Sequence, residues 1–331
     1  MLLFPDIPGT KSGYQIAVKS DLDRLQVTDD DVCLFHSSLR ADNPSFRYIN
    51  RPGIIGRVQN LAKLRVPSDL RLKSLDEVLH NFQADFDEIF CGDVTLYNAV
   101  RSCFPHSQIA VRFHNFYTKV LQRKAQLRIR VDPSFYVQLR IMQRLERKIL
   151  LDARSSHIFI SYEEQAHAQE FYPDMSTSTV WEIFDQVWRA PNVNVSKPRL
   201  IWFGGLSSHK KYGVDKFTSD VFPHVRAKIE GCEFHLYGAG TEQYDLREDG
   251  IYGHGFYVGN GVPDRNALYV NPDLLGGGVK LKIGHLLSND CAFISTPYGV
   301  EGYQLPKSEN ILIRDFDNWT ESIAGFFKNR I

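Results

Sequence analysis

The sequence predicts an α/β protein made of two halves, each with a parallel sheet. Three observations carry that prediction. Short apolar runs alternate with stretches of helical periodicity along most of the chain. Glycines and small polar residues cluster directly after several of those runs, where a strand hands over to a helix. A stretch rich in proline and small polar residues, around positions 171–198, interrupts the alternation before it begins again.

In the first half MLLF, VCLFHS, EIFCG, IAVRFHN and HIFIS read as buried strands. YQIAVKSDLDRL, SLDEVLHNFQADF and VTLYNAVRSCF supply helices between them. PSFYVQLRIMQRLERKILLDA predicts one long helix, with Pro133 in a first turn that needs no backbone N–H. After the interruption RLIWFGG, CEFHLYGAG, NALYVNP, CAFIST and NILIRDF read as the second set of strands. DNWTESIAGFFKN closes the chain as an amphipathic helix, with Asp317 as its expected N-cap. The expected domains are 1–185 and 186–315, followed by the helix 316–331.

Of the 331 residues 43% are apolar and 24% charged, the balance of a soluble globular chain with room for two domains. The net charge of zero lends no support to duplex binding. No apolar run approaches the ~20 residues that span a bilayer, and MLLFPDIPGTK lacks the pattern of a signal peptide. The five cysteines are scattered without a CxxC, which argues against a zinc site or a disulfide framework. A cytoplasmic protein is the expectation.

Chemistry is concentrated after the strands of the second half. In LLGGGVKLKIGHLL the apolar residues Val279, Ile283, Leu286 and Leu287 fall at helical spacing, so a helix starts near Gly278. Its first turn offers backbone N–H groups and the positive end of a helix dipole, and the glycines let an anion approach. Lys280 and Lys282 add charges suited to phosphate. A tight turn with two solvated lysines is the alternative. FGGLSSHKKYG (203–213) and LYGAG (236–240) are two more strand ends of the same kind, and open parallel sheets bind ligands there.

The ordered series FGGLSSHKKYG, EFHLYGAG, GHGF, GGGVKLKIGHLL and FISTPYGVEGY, over residues 200–304, resembles the nucleotide-sugar-binding domain of GT-B glycosyltransferases of the group-1 type. FDEIFCGD, IAVRFHN and RLERKILLDARSSHIFISYEEQAH are similar, more weakly, to the acceptor-side domain. The resemblance implies two Rossmann-like domains facing a central cleft, with the last helix crossing back to the first domain. It implies a nucleotide-sugar donor, a saccharide or lipid-linked acceptor, and no metal or other cofactor. Lys210 matches the lysine aimed at the donor diphosphate, while Gly205 stands where an arginine is often found. Gly276 and Gly284 stand where many retaining members carry two glutamates. Glu301 is then assigned to ribose or sugar hydroxyls, and Gly238, Gly277, Gly278, Lys280 and Lys282 to the donor.

In the first half His114 ends the strand IAVRF and is the expected catalytic contact to the transferred sugar, or a general base. Arg112 shares its face parity and reads as an acceptor-side contact or as the partner of a carboxylate. Asp6 and Gly13 bracket the loop after the first strand, Asp6 as a candidate catalytic carboxylate and Gly13 against the donor phosphates. Retention and inversion stay alternatives at this point.

Residues 119–148 carry nine lysines and arginines against Asp132 and Glu146, and 51–73 add six more cations. This basic face suits an anionic membrane surface or a lipid-diphosphate acceptor, or is a solvated helix face. No nucleic-acid module is present. A non-catalytic nucleotide-sugar or partner-binding relative and a nucleotide-sugar 2-epimerase of the same fold are the competing functions. DLD (21–23) and DDD (29–31) do not follow strands, and GAGTEQ (238–243) lacks a third glycine. A metal-dependent transferase and a dinucleotide oxidoreductase are thereby disfavoured.

Overall fold

In the computed structural model the chain divides into two compact units, Met1–Ile183 and Phe184–Ile331. The structure describes residues 1–4, 13–27, 33–36, 46–49, 86–127, 133–184, 188–193, 195, 197–206, 208–258, 261–328 and 330. Asp6, the basic stretch 51–73 and most of the helix expected from SLDEVLHNFQADF lie outside the described residues.

The first unit holds strands β1 (Leu2–Phe4), β2 (Cys33–His36), β3 (Phe46–Ile49), β4 (Glu88–Cys91), β5 (Gln108–Phe113), β6 (Ser155–Phe159) and β7 (Ser178–Val180). They form one sheet in the order β3-β2-β1-β4-β5-β6-β7, and every pairing is parallel. Side chains alternate between two cores, as a sheet covered on both faces requires. Leu3, Leu34, Ile89, Cys91 and Val111 face one of them. Leu2, Phe4, Phe35, Phe90 and Ile158 face the other.

The second unit repeats the plan with β8 (Arg199–Phe203), β9 (Glu233–Tyr237), β10 (Ile251–Gly253), β11 (Leu268–Asn271), β12 (Ala292–Ser295) and β13 (Ile311–Ile313). The order is β10-β9-β8-β11-β12-β13, again parallel throughout. In both sheets the winding direction reverses beside the first strand, between β1 and β4 and between β8 and β11. A doubly wound sheet leaves its ligand crevice at that place, outside the carboxyl ends of the strands.

Three strands were not expected from the sequence: β3, β7 and β10. All three are sheet edges, short and carrying polar residues or glycine. The last helix, Trp319–Lys328, begins after a 3-10 turn over Phe316–Asn318, so Asp317 lies inside that turn and is not an N-cap. Its buried residues Trp319, Ile323, Phe326 and Phe327 belong to the second unit, and Trp319 packs edge-on against Phe217. The helix's apolar face thus packs within its own unit.

Candidate functional site

The reversal point of the second sheet brings together most of the residues singled out in that half. After β8 the chain turns through Gly204, at φ +135°, into the helix Ser208–Lys216. A side chain on Gly204 would lie 3.8 Å from the Lys210 ammonium, which places that ammonium over the turn. Gly238, at the end of β9, has φ +134°, and a Cβ there would stand 2.0 Å from the Gly204 carbonyl oxygen. Only glycine permits these two loops to touch. Gly205 is exposed beside them.

After β11 come Pro272, Asp273 and the glycine loop, and the helix Leu281–Ser288 then starts with Lys280 in its N-cap position. Lys282 Nζ lies 3.3 Å from Asp273 Oδ1, with the two side chains 9% and 2% exposed. The same ammonium sits 5.1 Å from the centre of the Trp202 ring, an arrangement that favours a cation. Burial, with the charges of Lys210 and Lys280 acting in the same direction, pushes the Lys282 ammonium down to about 8 against the pull of Asp273. Lys280 Nζ donates to the Gly278 carbonyl at 2.8 Å and lies 4.7 Å from the centre of the Tyr298 ring. Lys210, Lys280 and Lys282 therefore share one corner, with Asp273 paired to Lys282 beside the glycine loop, and positive charge gathered in this way suits an anion.

Asp273 is itself fixed by the loop after β12. The Thr296 hydroxyl donates to the Asp273 carbonyl at 2.6 Å, and the Asn271 amide donates to Ser295 Oγ and the Gly299 carbonyl. Gly299 has no room for a Cβ, which would stand 2.4 Å from both Asn271 Nδ2 and Ser295 Oγ. Glu301 follows this loop, half-buried.

The two places where the resemblance expects glutamates are closed. Gly276 has φ +117°, a left-handed backbone in which any other residue is strained, and its carbonyl accepts from the Tyr298 hydroxyl. At Gly284 a Cβ would meet the Phe184 ring at 2.8 Å. Phe184, Trp188 and Tyr303 cluster there with ring centres 5.7–6.2 Å apart. Tyr303 Oη accepts from Gly284 N at 3.1 Å and donates to the Lys280 carbonyl at 3.0 Å, so it closes the helix start from the side. Asp273, Trp202, Phe184 and Tyr303 were missed by sequence reasoning. Only Asp273 carried a usable signal, as a carboxylate two residues beyond a strand end.

The first unit presents a different strand end. His114 follows β5 and is 8% exposed, with Nε2 donating to the Gly92 carbonyl at 2.9 Å. Burial and the neighbouring Arg112 hold its imidazole at about 3, so it is neutral and a weak base. The next helix, Tyr117–Gln126, is capped by two buried carboxylates. Glu164 accepts from Phe116 N at 2.6 Å, and Glu146 accepts from Tyr117 N, Thr118 N and the Thr118 hydroxyl. Arg112 is wholly buried: it donates to the Phe159 and Trp181 carbonyls at 2.9 and 2.7 Å and pairs with Asp21 at 3.4 Å. The acceptor-side contact expected of Arg112 gives way to its other reading, the partner of a carboxylate. Gly13 is the first residue of the helix Gly13–Leu25.

No protein-family model matches the chain, and no curated protein does. Solved structures do. WaaG, a glycosyltransferase involved in lipopolysaccharide biosynthesis, superposes with a TM-score of 0.59 at 10% identity, over 100% of this chain and 90% of its own. The chain has the GT-B fold. A second GT-B match is HepE from Anabaena, solved in complex with UDP, with a TM-score of 0.58 at 12% identity over 99% and 90% of the two chains. TarM gives 0.56 at 12% identity over 78% of this chain and 51% of its own, so this chain spans about half the length of TarM. Among the described residues no helix is long and apolar enough to cross a membrane.

Proposed function

We propose that this chain is a glycosyltransferase that moves a sugar from a nucleotide-sugar donor to a saccharide or lipid-linked acceptor in cell-surface polysaccharide synthesis. The observation that carries the proposal is the convergence of Lys210, Lys280 and Lys282 on the glycine-lined reversal point of the second sheet. A diphosphate carries charge opposite to that of these three ammonium groups, and the GT-B neighbour HepE was solved with UDP. The involvement of WaaG in lipopolysaccharide biosynthesis supports the acceptor class.

In this reading Lys210 and Lys282 hold the diphosphate, and Lys280 keeps the glycine loop in shape through its bonds to the loop carbonyls. Asp273 holds Lys282 in place, and Glu301 takes ribose or sugar hydroxyls. Gly13, the first residue of the helix Gly13–Leu25, remains the proposed contact to the donor phosphates, and Asp6 the proposed catalytic carboxylate. His114 contributes a hydrogen bond to the transferred sugar; an imidazole this weakly basic is a poor proton acceptor at neutral pH. Catalysis rests on electrostatics aimed at the leaving diphosphate, without a metal. The helix Pro133–Leu150, with Arg140, Arg144 and Arg147, is the proposed contact with an anionic membrane at the cytoplasmic face.

Calorimetry with UDP-, GDP-, dTDP- and CMP-sugars tests the donor site, and a transfer assay tests the enzyme. At least one donor should bind, and Lys210→Ala should weaken it. If no donor binds and the variant changes nothing, the proposal fails. The closure of Gly276 and Gly284 to glutamate favours a second reading, a nucleotide-sugar binder without turnover. Donor binding with neither hydrolysis nor transfer would select it.

A further inference from the structure

The second unit contains a cavity of about 890 Å³ that the lysine corner does not use. It lies between the helix Ser208–Lys216, the π-helical turn Phe217–Val221, the helix Phe222–Lys228 and the segment that leads into the edge strand β10. A π-turn inserts one extra residue per turn and is often found where a helix is shaped around a function. Here it supplies Thr218 and Ser219 to the cavity wall. The volume is within the usual range for small-molecule sites.

We propose that this cavity binds a neutral saccharide. Its apolar lining consists of Phe222 and Ile251, both buried, and of Pro223 and Leu246, both exposed. Its rim carries two cations, Lys211 and Arg226, and two carboxylates, Asp215 and Asp249, so it has no excess charge to select an ion. The cations are already engaged. Lys211 Nζ binds Asp215 at 2.9 Å and the Tyr244 hydroxyl at 3.0 Å, and Arg226 donates to the Glu248 carbonyl at 2.8 Å. Thr218 and Ser219 also line it, their hydroxyls donating to the Val214 carbonyl and to Asp220 and so keeping oxygen lone pairs to accept from a ligand. So does the Gln243 amide, which donates to the Gly240 carbonyl, and the exposed carboxylates of Asp215 and Asp249 complete the acceptors. A ligand with hydroxyls around its edge and C–H groups on its face matches that lining, and a sugar ring has that form.

Lys210 and Lys211 are neighbours on one helix, and their ammonium groups part, one toward Gly204 and the other toward Asp215 and Tyr244. The cavity is thus a site distinct from the lysine corner, and the inference does not depend on the proposed donor.

Saturation-transfer NMR on the whole protein, with lactose, cellobiose, chitobiose, maltotriose and mannobiose, tests it. At least one of these should bind, and saturating UDP should leave the signal intact. Ser219→Trp, at an exposed wall position, should abolish binding while the melting temperature holds. Asp249→Ala should weaken it about tenfold, the loss expected for one charge-assisted hydrogen bond. Lys210→Ala should have no effect. Absence of binding by all five sugars overturns the proposal, as does binding that survives Ser219→Trp or is displaced by UDP. Preference for a sulfated or phosphorylated sugar overturns the neutral class.

Discussion

The strand ends after β5 and after β11 are both rich in polar residues, yet they use them in opposite ways. After β5, Arg112, Glu146 and Glu164 are buried and each is matched to backbone groups or a countercharge from elsewhere in the same unit. Buried charge of that kind fixes a local shape and leaves little to offer a ligand. After β11, Lys280 and Lys282 gather with Lys210 from the β8 end beside the glycine loop, and Asp273 pairs with Lys282. Like charges gathered at a reversal point favour an ion of the other sign. Charged residues therefore point to a ligand more strongly where like charges gather than where each is met by backbone or a countercharge.

The largest expected effect lies on the closed side of that comparison. Asp21→Ala leaves Arg112 buried without its carboxylate, and should cost about 3–5 kcal/mol in urea unfolding. Asp21→Leu combined with Arg112→Met should recover much of that loss, because apolar replacement of both partners removes two desolvated charges. A single variant as stable as wild type would show that the pair is not structural, and the contrast with the lysine corner would break.

Next is the open side. Lys282→Ala should weaken UDP binding roughly ten- to a hundredfold, the range for a lost hydrogen bond to a charged group. His114→Ala should leave UDP affinity unchanged in the same calorimetry. Equal losses in both variants would erase the division of labour between the two units.

A smaller effect is expected at Gly284. Gly284→Glu drives a side chain into the Phe184 ring and should cost about 1–3 kcal/mol. Adding Phe184→Ala should return part of it by opening the space, measured by thermal unfolding of both variants. If Gly284→Glu is neutral alone, the aromatic cluster is not what closes the position.

Much of this organisation was legible in the sequence, and what was not has physical reasons. The interior strands were readable because parallel strands covered on both faces must be largely apolar, as in IAVRF or CAFIS, where only Arg112 and Ser295 are polar. The edge strands β3, β7 and β10 have one neighbour each, so FRYI, STV and IYG need no such pattern. The glycines and lysines of the lysine corner were legible because they follow strands directly. Their partners were not. Trp202 lies 80 positions before Lys282, and Phe184 lies 100 before Gly284; only the packed fold brings them together.

The last and smallest effect concerns pH. In the free protein Lys282 titrates at about 8, well below an ordinary lysine, because it is buried beside two other ammonium groups. A bound diphosphate favours the charged form and raises that value. Below pH 8 the lysine is already protonated, so this group makes binding independent of pH. Above pH 8 it must take up a proton to bind, and affinity should fall by up to tenfold per pH unit until the value in the complex is reached. UDP titrations at pH 7, 8 and 9 measure this, and Lys282→Ala should flatten the alkaline fall while lowering affinity at pH 7. A fall of the same steepness in Lys282→Ala would assign the proton to another group. A flat wild-type profile would mean that the diphosphate does not reach Lys282, and the lysines gathered after β11 would then need a different ligand.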